Sequence, residues 1–132
     1  MHIKNWLELN LIIKWLAAIT AIGIIVLSLT RIGAIVPSSE ITFLDKIAHT
    51  FAYLVLSFLW SYVFRNSKRP WLLLVCLTLF GVILEVLQRT LTDFRTFDYM
   101  DMVANFIGVL FGYVLFTYVR NKKLRRLYKK DL

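Results

Sequence analysis

Asp45, His49 and Tyr53 recur every fourth residue, which on a helix aligns them along one face, with Lys46 adjacent. A histidine flanked by a carboxylate is the pairing that general acid–base chemistry uses. Further along, Glu85 and Gln88 are three apart and Arg89 follows. Arg95 then precedes Asp98, Asp101, Asn105, Gly108 and Gly112, which advance by 3, 4, 3 and 4 residues along one helical stripe. Two kinds of chemistry fit these side chains. In a binding site, Lys46, Arg89 and Arg95 would engage phosphate or carboxylate, Arg95 by two parallel hydrogen bonds, while His49, Gln88 and Asn105 orient a polar head. Asp45, Glu85, Asp98 and Asp101 would suit amide or amine groups. In an enzyme, His49 would act as base or acid with Glu85 or Asp101 orienting it.

Plainer readings stand beside these. Asp45, Asp98 and Asp101 are good helix caps, His49 could be a core histidine, and Glu85 with Arg89 could pair along one helix. A histidine among carboxylates could also hold a divalent ion. There is no HExxH, no glycine-rich phosphate loop and no second histidine nearby, however, and the expectation is no metal and no cofactor.

These residues sit on, or at the ends of, apolar runs. The uncharged stretches Trp15 to Thr30, Ile47 to Phe64, Pro70 to Leu84 and Met102 to Val119 are each close to the roughly 20 residues that a bilayer span requires. Hydrophobic residues make up 59% of the 132 and charged ones 18%, too apolar for the surface of a soluble domain of this size. The expected fold is all-α, a single four-helix transmembrane bundle over 1–132, with helices at about 12–30, 44–64, 70–88 and 99–119 and a basic tail at 120–132. No internal repeat is visible, and no soluble catalytic module fits beside the bundle.

Of the 16 Lys and Arg residues, only Arg31, Lys46, Arg89 and Arg95 fall in the two loops following the first and third runs. Basic residues collect on the cytoplasmic side, so both termini should be inside, with segments 31–46 and 89–101 outside. The net charge of +8 is thereby explained without nucleic acid, and the basic tail reads as a segment held against anionic lipid. The first helix lacks a small-residue cleavage site and is expected to be retained, with Trp6 and Trp15 as interfacial anchors. Thr42 to Asp45 resembles a capping box opening the second helix, Pro70 suits the first position of the third, and Asp98 suits the N-cap of the fourth. The lone Cys76 excludes an internal disulfide.

Depth brings the polar stripes together. At 1.5 Å per residue His49 is about 7 Å below Leu44, Glu85 about 4 to 5 Å below Gln88, and Asn105 about 10 Å below Asp98. One layer in the outer half of the membrane should hold all three, and the cost of ionisable groups there turns them toward the bundle interior. Gly108-x-x-x-Gly112 on the Asn105 face argues that this face is internal; Ala48-x-x-x-Ala52 and Ala17-x-x-x-Ala21 could supply matching small faces. His49 is expected within reach, directly or through one water, of Glu85 or Asp101. Cys76, nine residues before Glu85 and about 14 Å below it, is too deep to pair with His49. Ser38 and Ser39 in the outer loop could fold over the cleft.

The pattern Leu44-Asp45-Lys46-x-x-His49-x-x-x-Tyr53, then Glu85-x-x-Gln88, then Arg95-x-x-Asp98-x-x-Asp101-x-x-x-Asn105-x-x-Gly108-x-x-x-Gly112, resembles the VanZ-like family of bacterial membrane proteins. The resemblance runs from about residue 40 to 116. It implies a multi-pass protein of the bacterial cytoplasmic membrane, and the family's namesake is associated with resistance to teicoplanin, which acts outside the membrane. The expected function is binding or handling of an amphiphilic envelope component at the outer leaflet, with membrane lipid and a lipid-linked precursor or lipoglycopeptide as partners. A membrane-embedded hydrolase or transferase acting on a lipid-linked ester or phosphate is the enzymatic alternative. A structural or interaction protein is the third. The sequence leaves the oligomeric state open.

Overall fold

The computed structural model describes residues 2–30, 41–91 and 98–130, and these form four helices: α1 His2–Leu29, α2 Ile41–Val63, α3 Pro70–Leu91 and α4 Tyr99–Lys130. Each contains a stretch long and apolar enough to cross a membrane. Large apolar side chains such as Ile19, Phe51, Ile83 and Phe111 face outward along all four helices, the surface that lipid covers. Several threonine hydroxyls are satisfied within their own helix, as Thr20 is by the Leu16 carbonyl and Thr78 by that of Leu74.

Local signals account for several helix starts. Pro70 opens α3, where its missing N–H is no loss. Asp98 caps α4, its carboxylate accepting the Met100 N–H at 2.8 Å. The α2 start lies ahead of the proposed capping box, since Thr42 is already helical. Two helices are longer than their apolar runs suggest. α1 begins at His2 rather than near 12, and α4 continues to Lys130, so the basic segment is a helical continuation rather than a separate tail. Arg, Lys and Leu are all good helix formers, and nothing in that segment breaks the turn.

α2 and α4 form the most extensive contact; α1 rests mainly on α2, and α3 on α4. Gly108 and Gly112 explain the closeness of the central pair. A Cβ at Gly108 would collide with the Thr50 carbonyl oxygen, and one at Gly112 with that of Leu54, so the α4 backbone lies directly on that of α2. Between the glycines Val109 is fully buried, and its carbonyl accepts a hydrogen bond from Ser57 Oγ at 2.7 Å. Tyr53, Leu56, Leu77, Leu84 and Ile24 complete the core. Of the two alanine patterns, Ala17 is buried but Ala48 is exposed.

The chain alternates direction, so the α2–α3 turn lies beside the start of α1, where Arg65 donates to Asn10 Oδ1 at 2.8 Å and to the Tyr62 carbonyl at 3.0 Å. This is the end of the bundle nearer both termini. Asp45, His49 and Asp98 belong to the opposite end.

Candidate functional site

At that opposite end, the α2 and α4 stripes meet in ion pairs and hydrogen bonds. Lys46 Nζ donates to Asp98 Oδ2 at 2.6 Å and to Asp101 Oδ1 at 3.2 Å. His49 Nδ1 lies 3.0 Å from Asn105 Oδ1 and donates to that carbonyl oxygen. Its other ring nitrogen, Nε2, faces Asp45 Oδ1 at 3.9 Å. Asp101 completes the group, because Asp45, His49 and Asp101 each offer one ligand atom, all within 4.8 Å of one another. That spread suits a bridging water or cation, and Lys46 already brings one positive charge to Asp101.

The most deeply buried polar residues of this layer come from α2, α3 and α4. Tyr53 is 2% exposed, Glu85 3%, Gln88 2%, Asp101 6% and Asn105 3%. All are far more buried than such side chains usually are, and burial without partners would be costly. Gly81 makes the arrangement possible: a Cβ there would come within 3.2 Å of the Tyr53 ring and 3.3 Å of Asn105. This residue was not singled out from the sequence, although it lies four before Glu85 on the same buried face of α3 as Leu77, Leu84 and Gln88.

The expected network needs one addition and one correction. His49 has Asp101 at one-water distance, as expected, and what the sequence did not give is its direct partner, the Asn105 amide. Lys46, expected to meet an external anion, is held by two carboxylates of its own chain. Asp98 and Lys46 stabilise each other's charges. The Lys46 ammonium, and after it the Met100 N–H, hold the Asp98 carboxyl below the usual carboxylate range. Arg89 lies exposed near the end of α3. Arg95, Ser38 and Ser39 lie outside the described residues.

Two clefts open on this layer. One, of about 150 Å³, lies between α1 and α2 and is lined by Asp45, His49, Tyr53, Ser28, Ile24 and Leu27. The Tyr53 hydroxyl is buried and has no hydrogen-bond partner among the described residues. The other, of about 440 Å³, lies between α2 and α4. Its walls are Phe43, Ile47, Phe51, Leu54, Val103 and Ile107, and Lys46 reaches into it.

The stripes fit a known family. A family model described as VanZ/LLP1 matches residues 2–120. The chain belongs to the VanZ/LLP1 family. It is also similar to "Uncharacterized protein C11E3.10" of Schizosaccharomyces pombe, 30% identical over 112 residues that cover 83% of this chain and 68% of the relative. No solved structure matches. The matched segment takes in the first helix, for which no motif was legible, and the four membrane-spanning helices agree with a VanZ-type multi-pass membrane protein. A relative in a yeast means that membership in the VanZ/LLP1 family does not by itself place a chain in a bacterial envelope.

Proposed function

We propose that this VanZ-type protein binds the polar head of a membrane amphiphile in the layer formed by Asp45, Lys46, His49, Tyr53, Asp101 and Asn105, with the apolar chain lying in the α2–α4 cleft. Glu85, Gln88 and Asp98 support that layer, and Arg89 and Arg95 are further candidates for contact with an anionic head. The carrying observation is the Tyr53 hydroxyl, a buried polar atom with no partner among the described residues, on a side chain that lines a cleft with His49 and Asp45. Buried polar groups are nearly always hydrogen-bonded, so a guest or an ordered water belongs there. The apolar cleft adjoins it across α2 and ends at Lys46, which suits a ligand with a charged head and a lipid tail entering sideways from the bilayer. The distribution of basic residues favours an outward-facing site in a cytoplasmic membrane.

The His49 geometry favours a second reading on the same site: hydrolysis of a lipid-linked phosphate. With Nδ1–H committed to Asn105, Nε2 is free to draw a proton from water. The resulting hydroxide attacks phosphorus, the bond to the leaving oxygen breaks, and His49 returns the proton to that oxygen. Asp45 stabilises the imidazolium formed in between.

One experiment separates the two. Purified protein in nanodiscs is given a fluorescent polyprenyl phosphate, and binding and phosphate release are both followed for wild type, His49→Ala and Asp101→Asn. Binding that both substitutions weaken, without release, supports handling. Release that stops in His49→Ala while binding persists supports hydrolysis. Binding that neither substitution changes, with no release, returns the cluster to a structural role. In a bacterial host the handling reading further expects tolerance to teicoplanin, which carries an acyl chain, to rise more than tolerance to vancomycin, and the difference to vanish in both variants at equal protein level.

A further inference from the structure

A further cleft lies away from the polar layer. It has a volume of about 510 Å³, lies in the other half of the bundle, and is walled by α2 and α3 with Ala21 of α1 beside them. Ala21, Leu56, Trp60, Leu72, Leu77 and Phe80 form most of its wall. The charged and hydroxyl groups of its lining, Ser67 and Arg69, both belong to the α2–α3 turn at its mouth.

Three features identify an occupant. Length is the first: from Arg69 to Phe80 is 11 residues of α3, about 16 Å, which is close to half of the roughly 30 Å hydrocarbon thickness and hence to one leaflet. Volume is the second, since 510 Å³ holds about 17 groups of the size of a water or a methylene, the bulk of one acyl chain. Charge is the third. Arg65 is committed to Asn10 and Tyr62, whereas the Arg69 guanidinium is exposed and has no carboxylate partner among the described residues, with exposed Lys68 beside it. A second copy of the chain would bring the same cations to the same mouth and repel.

We propose that this cleft is a site for one anionic phospholipid of the leaflet nearer the termini, its acyl chain between α2 and α3 and its phosphate on Arg69. The site is independent of the reading of the polar layer, which lies at the opposite end of the bundle. Its occupancy ties α2 to α3, two helices that touch each other little.

Cys76 lines the cleft, is exposed and is the chain's one cysteine, so it reports occupancy directly. The test follows alkylation of Cys76 by a maleimide in detergent micelles to which phosphatidylglycerol or phosphatidylcholine is added. At a phosphatidylglycerol concentration about ten times its dissociation constant the rate should fall about tenfold, with little effect of phosphatidylcholine. Arg69→Gln, a change at an exposed position, should remove the difference between the lipids. In a separate arm, phosphatidylglycerol should raise the melting temperature of the wild type but not of Cys76→Trp, in which the cleft is filled. Equal protection by both lipids, no protection by either, or unchanged selectivity in Arg69→Gln would overturn the proposal. So would protection that rises with protein concentration in the absence of lipid, which would mark the cleft as a contact between copies.

Discussion

The two ends of the bundle are held together by different physics. Toward the loops that follow α1 and α3, the α2–α4 contact runs through Lys46 with Asp98 and Asp101 and through His49 with Asn105. Toward the termini the same two helices meet through rings, with Phe116 edge-on to Phe58 and Tyr62 at centroid distances of 6.3 and 6.5 Å. Rings pack at no desolvation cost, while every buried ion pair must recover the hydration it gives up. A bundle needing only cohesion has no reason to use the costlier means at one end alone. The asymmetry is in keeping with the ligand site proposed at the polar end.

The largest expected effect ignores the asymmetry, because it strikes where the two halves join. Gly108→Leu places a side chain against the α2 backbone at Thr50, and relief requires the helices to part. A loss of about 3 kcal/mol is expected, at the upper end for overpacking, read as reduced resistance to unfolding in detergent. A protein that tolerates this change would not have the close α2–α4 contact on which both ends depend.

Acid should act on one end only. Because the folded Asp98 carboxyl titrates below its ordinary value of 3.8, its contribution is present above that value and is lost as the pH falls through the lower folded value. Asp98 is partly exposed, so screening keeps the effect within about 1 kcal/mol. Melting curves from pH 7 to pH 3 should show the wild type losing its margin over Asp98→Asn in this acid range; a constant margin would mean that the Lys46 pair contributes nothing. The smallest effect belongs to the apolar half. Ser57→Ala removes the hydrogen bond to the Val109 carbonyl and should cost about 0.6 kcal/mol, the average for such bonds between membrane helices, with no change in the acid profile.

Much of this was legible in the sequence because its signals are local. Apolar run length identified four spans, the Pro70 and Asp98 helix starts depend on neighbouring residues, and the four-residue steps aligned Asp45, His49 and Tyr53. What was not legible depends on rotamers and partners from distant parts of the chain. Periodicity put Asn105 and Asp101 on one face but could not decide which of them His49 would meet. Nor could the pattern reveal that Lys46 would be held by Asp98 and Asp101, since an exposed lysine and a paired one look alike in sequence. Gly81 was passed over for a related reason: a lone glycine on an apolar helix gains meaning only when the ring and the amide that crowd it are known. The extension of α4 was missed because charge was read as the end of a span, although charge ends the hydrocarbon crossing and not the helix.

That extension has a mechanical side. α4 has 32 residues and no proline, so at 1.5 Å per residue it is a rod of about 48 Å with no built-in joint. Its tightest seat is at Gly108 and Gly112, where backbone meets backbone. A rod seated near its middle is a lever. From the midpoint of that seat Asp101 lies nine residues one way, about 14 Å, and Arg126 sixteen the other, about 24 Å. A sideways displacement of the basic end about that seat would move Asp101 in the opposite direction by a little over half as much.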